Sequence, residues 1–259
     1  MSAINSENIL NKDLLRVTLF GKEAATLLPL LQVETSLQVV TEDPDLVICY
    51  GGDGTLLAAE LDWPGIPKVP ILNSKRGNRC IQRRPDEVIS ALGRRELVQT
   101  QYTKLMCRLF TEGNLKEPAH VLTCLNEINV HMGRINSAVR FQLSINNIPF
   151  EEGVEIVSDG FVVCTAFGSN AYFKAITKGI FTEGIGVAFK ATTHPVNHIV
   201  LPEDSRFCFV VTRGPATLAY DNSAEYIDLE EGDRIRICRY PESAIILTCD
   251  PVTKLDEPF

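Results

Sequence analysis

Long apolar runs are missing from this chain: no stretch of its 259 residues approaches the length needed to span a bilayer. Positive charge is scarce. With 25 Lys and Arg against 33 Asp and Glu, the formal net charge is −8, which argues against a general nucleic-acid binder and against an anionic membrane surface. An anionic substrate would therefore need local positive charge or a metal. No C-x-x-C spacing occurs among the eight cysteines. Cys49, Cys107, Cys124, Cys164, Cys208, Cys238 and Cys249 lie in apolar, strand-like runs and Cys80 in a basic stretch, so buried thiols in a reducing compartment are expected rather than disulfides or zinc. Met1 to Glu7 lacks a basic region followed by an apolar core, so no signal peptide is read and a cytoplasmic location is expected. Internal repeats and low-complexity tracts are also absent. The composition that remains, 45% hydrophobic and 22% charged, is that of a globular protein with one large domain or two modest ones.

The most informative stretch runs from Leu46 to Glu60. Leu46 to Tyr50 has the length and β-leaning composition of a buried strand. Gly51, Gly52 and Gly54 permit positive φ and a close approach to the backbone, and helix formers follow from Thr55. Gly51, Gly52, Gly54 and Thr55 thus describe a phosphate cradle at a helix N-terminus. Asp53 stands out, because a carboxylate beside a polyphosphate is repelled by roughly 4 kcal/mol per charge pair at about 4 Å and an effective dielectric of about 20. A bridging divalent cation would make it tolerable, as would a role in removing a proton from an attacking hydroxyl. The same residues also describe a strand–turn–helix corner with Asp53 as N-cap.

Around this motif the first third alternates strand and helix: strands at Arg16 to Phe20, Ser36 to Val40 and Val69 to Leu72, helices at Glu23 to Leu31 and Pro85 to Leu92. Alternation implies a parallel sheet covered by helices, with ligands at the strands' carboxyl ends. From Leu97 onward the pattern is consecutive strands with turns at 112–114, 146–147, 151–153, 213–215 and 231–233, broken by one helix at Asn170 to Thr177. The expected organisation is an α/β domain over 1–97 and an all-β, sandwich-like domain over 98–240.

Other stretches could carry chemistry. Asn126 and Glu127 follow an apolar run, and an adjacent amide and carboxylate suit ribose hydroxyls or a carboxamide as well as they suit a surface turn. Ser158 to Ala175 repeats the first motif: a strand, a small-residue turn at Gly168-Ser169, and a helix start where Tyr172 offers a stacking face. Tyr220-Asp221-Asn222 precedes Leu229 to Ile237, which has the form of a hairpin. The basic run Lys75, Arg76, Arg79, Arg83 and Arg84 could meet phosphates or be a solvated, helix-flanking face. His194 and His198 have metal-like spacing, but Pro195 opposes a helix that would set both rings on one side, and no metal ligand is assigned.

In this order the motifs resemble the NAD kinase family. Gly-Gly-Asp-Gly-Thr closes a strand at Gly51 to Thr55, Asn126-Glu127 follows, then Asp159-Gly160, Thr165 to Tyr172, Asp221-Asn222 and Gly232-Asp233, spanning roughly residues 45 to 240. Diacylglycerol and sphingosine kinases share the first of these, and phosphofructokinases share it without the Thr. The resemblance implies a two-domain fold in which the segment 241–259 rejoins the first domain. It also implies phosphoryl transfer from ATP, or inorganic polyphosphate, to the 2′-hydroxyl of the adenosine ribose of NAD, giving NADP. Asp53 would be the base, aided by a divalent cation such as Mg2+. Asp53, Gly54, Asn126, Glu127, Asp159, Asn170, Ala171, Tyr172 and Ala175 would bind NAD, with Asp159 at the nicotinamide end, and a homo-oligomer (dimer or tetramer) is implied.

The chain departs from the family pattern at several places. Ala166-Phe167 stands for Pro-Thr, Asn170 for Thr and Asn222 for Gly, and in the loop Asn73 to Ile81 only Gly77 of the family's fixed positions survives. These departures fall on the adenine pocket and the donor site, not on the catalytic acid. Two rivals remain: a lipid kinase, which would need an apolar cleft and access to membranes, and a nicotinamide-nucleotide-binding protein that has lost transfer.

Overall fold

A computed structural model describes residues 9–75 and 77–249; residues 1–8, Arg76 of the basic run, and 250–259 lie outside the described residues. The chain forms two compact units, one running to Tyr102 and resuming at Ala244, the other from Thr103 to Ser243.

The first unit is built on β1 (Leu15–Phe20), β2 (Leu37–Val39), β3 (Leu46–Gly51), β4 (Lys68–Leu72) and β5 (Val98–Tyr102), with helices α1 (Leu28–Val33), α2 (Asp53–Asp62) and α3 (Pro85–Gly93). In β3, Leu46, Val47, Ile48 and Cys49 are all buried, as expected of a parallel strand covered on both faces. α3 starts where Pro85 supplies a preset φ and no N–H, after Arg84 in extended conformation, with Asp86 and Glu87 in its first turn. The fully buried Lys68 of β4 pairs with Glu60 of α2 and donates to the Trp63 carbonyl at 2.6 Å, fastening α2 to the sheet. The helix expected over Glu23 to Leu31 is instead a 3-10 turn, Ala24–Leu27, followed by α1. Pro29 has no N–H to give to the fourth residue before it, so a continuous α-helix could not cross that point.

The second unit contains β6 (Leu105–Phe110), β7 (His120–Cys124), β8 (Glu127–Met132), β9 (Val139–Ile145), β10 (Ile148–Pro149), β11 (Ile156–Ser158), β12 (Gly160–Thr165), α4 (Tyr172–Thr177), β13 (Ile185–Lys190), β14 (His198–Leu201), β15 (Phe207–Arg213), β16 (Ala216–Tyr220), β17 (Ile227–Leu229) and β18 (Arg234–Arg239). One sheet has the order β10-β9-β15-β18-β6-β7, with β11 on β9, and the other β14-β13-β12-β8-β16-β17. Their inner faces share one core, in which Phe161 stacks on Phe209 at 3.8 Å and meets Phe141 edge-on at 4.8 Å. This is the sandwich expected from the turn spacing.

Two local expectations are corrected. Leu229 to Ile237 is not a hairpin: β17 pairs with β16 and β18 with β15 and β6, so the turn at Gly232 carries the chain from one sheet to the other. The helix expected from Asn170 is a 3-10 turn, Phe167–Asn170, and the six-residue α4, separated by Ala171 at φ −92° and ψ −118°. After β18, β19 (Ala244–Thr248) enters the first sheet, whose order is β2-β1-β3-β4-β19-β5.

Candidate active site

In the first unit the glycine motif closes β3 and opens α2. None of Gly51, Gly52 and Gly54 uses the positive φ that glycine permits. Gly51 is needed for space instead: a Cβ there would collide with the Thr55 hydroxyl. The N-cap of α2 is Gly52, in extended conformation, and Asp53 is the first helical residue, so the N-cap alternative for Asp53 fails. The carboxylate faces the loop after β4. It accepts the Asn78 N–H on Oδ2 and the Arg79 N–H on Oδ1, both at 2.9 Å, and the Cys80 thiol lies 3.7 Å from Oδ1. Burial and the adjacent Asp53 charge push that thiol up to about 12. The loop is itself folded onto the sheet through Ile81 N–H to Pro70 O at 2.8 Å and Asn73 N–H to Gly51 O at 2.7 Å. Of the basic run, Arg84 is engaged by Asp86 at 2.7 Å, which fits the helix-flanking reading at that position.

In the second unit, three stretches remote in sequence meet around Asn126 and Glu127. The Asp221 carboxylate accepts the N–H groups of Leu125 at 2.8 Å, Asn126 at 2.7 Å and Glu127 at 3.2 Å. Burial lifts Asp221 to about 6, against the lowering effect of those three donors. From the other side Thr165 Oγ1 donates to Leu125 O at 2.6 Å and accepts the Gly168 N–H at 3.1 Å. Gly168 touches the Asn126 backbone so closely that a Cβ would stand 2.7 Å from Asn126 Cα. The peptide carrying Asn126 and Glu127 is therefore clamped through its backbone.

Glu127 Oε2 is buried and has no hydrogen-bond partner. Burial, then the charge of Asp221, pushes the Glu127 carboxyl up to about 8, with Lys190 acting in the other direction. Lys190 itself is only 5% exposed. Its ammonium donates to Asn129 Oδ1 and, at 2.7 Å, to Val130 O, and sits 4.9 Å from the Tyr172 ring centre. Burial drives it down to about 7 despite the opposing charges of Asp159 and Glu127. Asp159 is tied to the same strand by its N–H, which donates to Lys190 O at 2.9 Å. Asn170 ends the 3-10 turn, Ala171 is the break, and Ala175 lies exposed on α4, its N–H reaching Ala171 O at 3.3 Å.

Within the second unit, then, Glu127, Asp159 and Tyr172 are gathered near Lys190, with Asn126 next to Glu127 in the clamped peptide. Asp53, Gly54 and the rest of the glycine motif belong to the first unit. Sequence reasoning missed Lys190, Asn129 and the clamp by Asp221. A lysine ending the otherwise apolar run Ile185–Lys190 is the one signal that could have been noticed. The two histidines are occupied separately: His194 Nε2 is 2.7 Å from Glu151 Oε2, and His198 Nδ1 2.6 Å from Asn197 Oδ1.

This pairing of an α/β unit carrying a glycine loop with a β-sandwich is the fold of the nucleotide kinases that act on NAD or NADH. The chain is similar to yeast NADH kinase complexed with NADH (TM-score 0.81, 15% identity, 94% of this chain and 85% of that one). It is also similar to an NAD kinase from Archaeoglobus fulgidus in complex with ATP (TM-score 0.69, 17% identity, 89% and 92%). Residues 125–248 match the ATP-NAD kinase C-terminal domain. An NAD kinase of Chloroflexus aurantiacus is 30% identical over 227 residues, covering 81% of this chain and 76% of that protein. One from Magnetococcus marinus is 27% identical over 252 residues, covering 92% and 80%. The chain belongs to the NAD kinase family.

Proposed function

We propose that the chain transfers the terminal phosphoryl group of ATP, or of polyphosphate, to the 2′-hydroxyl of the adenosine ribose of NAD, giving NADP. The observation that carries this reading is the Asp53 carboxylate, held by two backbone N–H groups at the carboxyl end of a parallel strand and turned away from helix capping. In the proposed step Asp53 takes the proton of the 2′-hydroxyl as its oxygen bonds to the terminal phosphorus. The bond from that phosphorus to the bridging oxygen breaks, and ADP, or the polyphosphate shortened by one unit, leaves with the electron pair. A ribose hydroxyl is a poor nucleophile, so placement and a fixed base are what the protein has to supply. Asn126 and Glu127 hold the ribose and adjoining base, Glu127 through the oxygen that has no partner within the chain. Asp159 takes the nicotinamide end, and Asn170, Ala171, Tyr172 and Ala175 line the dinucleotide pocket. Gly51, Gly52, Gly54 and Thr55 take the donor phosphates.

A divalent cation such as Mg2+ fits this donor set as one that arrives on the phosphates. Among the described residues no cluster of three or more metal-ligating side chains exists, and Asp53 keeps acceptor capacity beyond its two N–H partners. Asp53 would hold the cation, which would neutralise charge on the transferring phosphoryl group. We place the enzyme in the cytoplasm as a homo-oligomer; eight unbridged thiols support a reducing compartment, and no helix among the described residues is long and apolar enough to cross a membrane.

A second reading, a nucleotide-binding protein without transfer, is favoured by one observation: the divergent loop Asn73 to Ile81 lies directly on Asp53. One experiment separates the two. NADP formation is followed with NAD, ATP and magnesium; turnover supports the kinase, and NAD binding without turnover supports the second reading.

A further inference from the structure

The outward face of the sheet formed by β9, β15, β18 and β6 reverses the charge of the molecule. A concavity of about 1000 Å³ there is lined by Arg108, Arg206, Arg234, Arg236 and Arg239, with Asp204 its one carboxylate. The chain as a whole carries −8. Register makes the crowding specific. Arg236 of β18 lies directly opposite Arg108 of β6, and like charges so placed are destabilising. Arg234 is on the same face one pleat away, and Cys208 of β15 faces Arg236 from the other side.

Carboxylates answer only a small part of this charge. Arg239 is 3.7 Å from Glu203, but Arg108, Arg206, Arg234 and Arg236 pair with no acid among the described residues. Arg236 is nonetheless positioned, its guanidinium 4.6 Å from the centre of the Phe110 ring beneath it. Uncompensated arginines held in register call for an anion that spans them, and a guanidinium fork matches phosphate geometry.

Other occupants fit less well. A two-fold contact between copies of the chain would set this arginine group against itself. Of the two aromatic rings near the patch, Phe110 lies against Arg236 and Tyr240 already has the Lys104 ammonium 5.4 Å from its centre, which leaves little for a base to stack on. The net charge of −8 also disfavours a long nucleic acid, whose phosphates would extend beyond the patch.

We propose that this face of the sandwich binds a short chain of phosphates across Arg108 and Arg236, using residues none of which is assigned to NAD or to catalysis. The chemistry is common to inorganic polyphosphate and to the tail of a nucleoside triphosphate. The site stands independently of the kinase reading.

The test titrates the full chain with tripolyphosphate by calorimetry, comparing the parent with the double variant Arg108→Gln, Arg236→Gln. The parent should bind, more weakly as salt rises. The double variant should lose affinity roughly tenfold or more, as expected when charge-assisted hydrogen bonds are removed. It should keep the parent's kcat and KM for NADP formation and melt no earlier. If it does melt early, Arg206→Gln with Arg234→Gln, which are not directly opposed, replaces it in the comparison. ATP, which the catalytic site binds in both proteins, is titrated in parallel: loss of a further ATP site in the variant identifies nucleotide tails as a source, and an unchanged number of ATP sites identifies the inorganic chain. Equal tripolyphosphate affinity in parent and variant overturns the proposal. So does a parent that binds poly(U) but not tripolyphosphate, or one whose arginines serve only self-association by gel filtration. An inactive parent would sink the kinase reading and leave this comparison intact.

Discussion

Replacing Asp53 by Asn tests the centre of the mechanism, and the structure says what else the change will do. The carboxylate accepts two backbone N–H groups, from Asn78 and Arg79, each at 2.9 Å. An amide can accept one of these through its oxygen, but its NH2 group meets the other donor head-on. Losing one hydrogen bond to a charged acceptor costs about 1.5–3 kcal/mol, and losing the charge in the first turn of α2 about 0.3–1 kcal/mol more. That sum, about 2–4 kcal/mol, falls on the anchoring of the loop over residues 73–81, so the melting temperature and the KM for the phosphate donor should both change. Loss of a general base is a separate effect, typically about 10²- to 10⁴-fold in the chemical step.

The two effects separate in steady-state kinetics. NADP formation is measured over donor concentrations wide enough to resolve kcat from KM, beside a control that shifts the loop but keeps the carboxylate. Gly77→Ala serves, because its Cβ would stand 2.6 Å from Leu72 Cδ1 and only in ordinary contact, at 3.5 Å, with Asp53 Oδ1. Gly77→Ala should raise the donor KM and spare kcat, whereas Asp53→Asn should lower kcat at saturating donor by about 10²-fold or more. If kcat in Asp53→Asn stays within a fewfold of the parent while the donor KM rises as in Gly77→Ala, Asp53 is a loop anchor and the base assignment is wrong.

Glu127 gives a pH signature. Its carboxyl rises from 4.5 to about 8 on folding, so the folded state holds more protons across that interval and the group's contribution to stability falls as pH rises through it. Relative to the parent, Glu127→Gln should therefore melt progressively higher as pH is raised from 5 to 8; a constant difference would refute the buried-carboxyl account. Lys190 has the opposite sign, since a pKa lowered from 10.5 to about 7 makes stability rise with pH above 7, so Lys190→Met should remove that rise in thermal melts between pH 7 and 10. Asp221→Ala strips the acceptor from three N–H groups and should cost about 3–6 kcal/mol with a raised KM for NAD; an unchanged melting temperature would show that the clamp does not hold residues 125–127.

The parts of this fold legible in sequence are those set by local periodicity. Alternation of strand and helix before Leu97, and of inward and outward residues afterwards, follows from burial on one face or two, and both units show it. Local pattern fails where the partner is remote. The turn at Gly232 has the same sequence whether its strands pair with each other or pass to different sheets, and only the neighbours β16 and β15 decide it. Gly51 to Gly54 look like a loop of positive φ, yet the requirement at Gly51 is contact with Thr55, a packing demand invisible to dihedral reasoning.

The site divides along the same line. Asn126, Glu127 and Tyr172 can be picked out because their neighbours in sequence already look like turns against a strand. Lys190 cannot, and Asp221 stands out as a motif but not as a clamp, since their effects depend on partners 60 to 61 and 94 to 96 residues away. What they contribute is placement. Asp221 spends its carboxylate on the backbone N–H groups of residues 125–127, which fixes the peptide that carries Asn126 and Glu127. Among the described residues Lys190 is the cation whose charge acts on Glu127, against both burial and Asp221. A carboxylate so held is costly to the folded protein, and a cost of that kind is retained where a ligand, rather than the fold, supplies the missing partner.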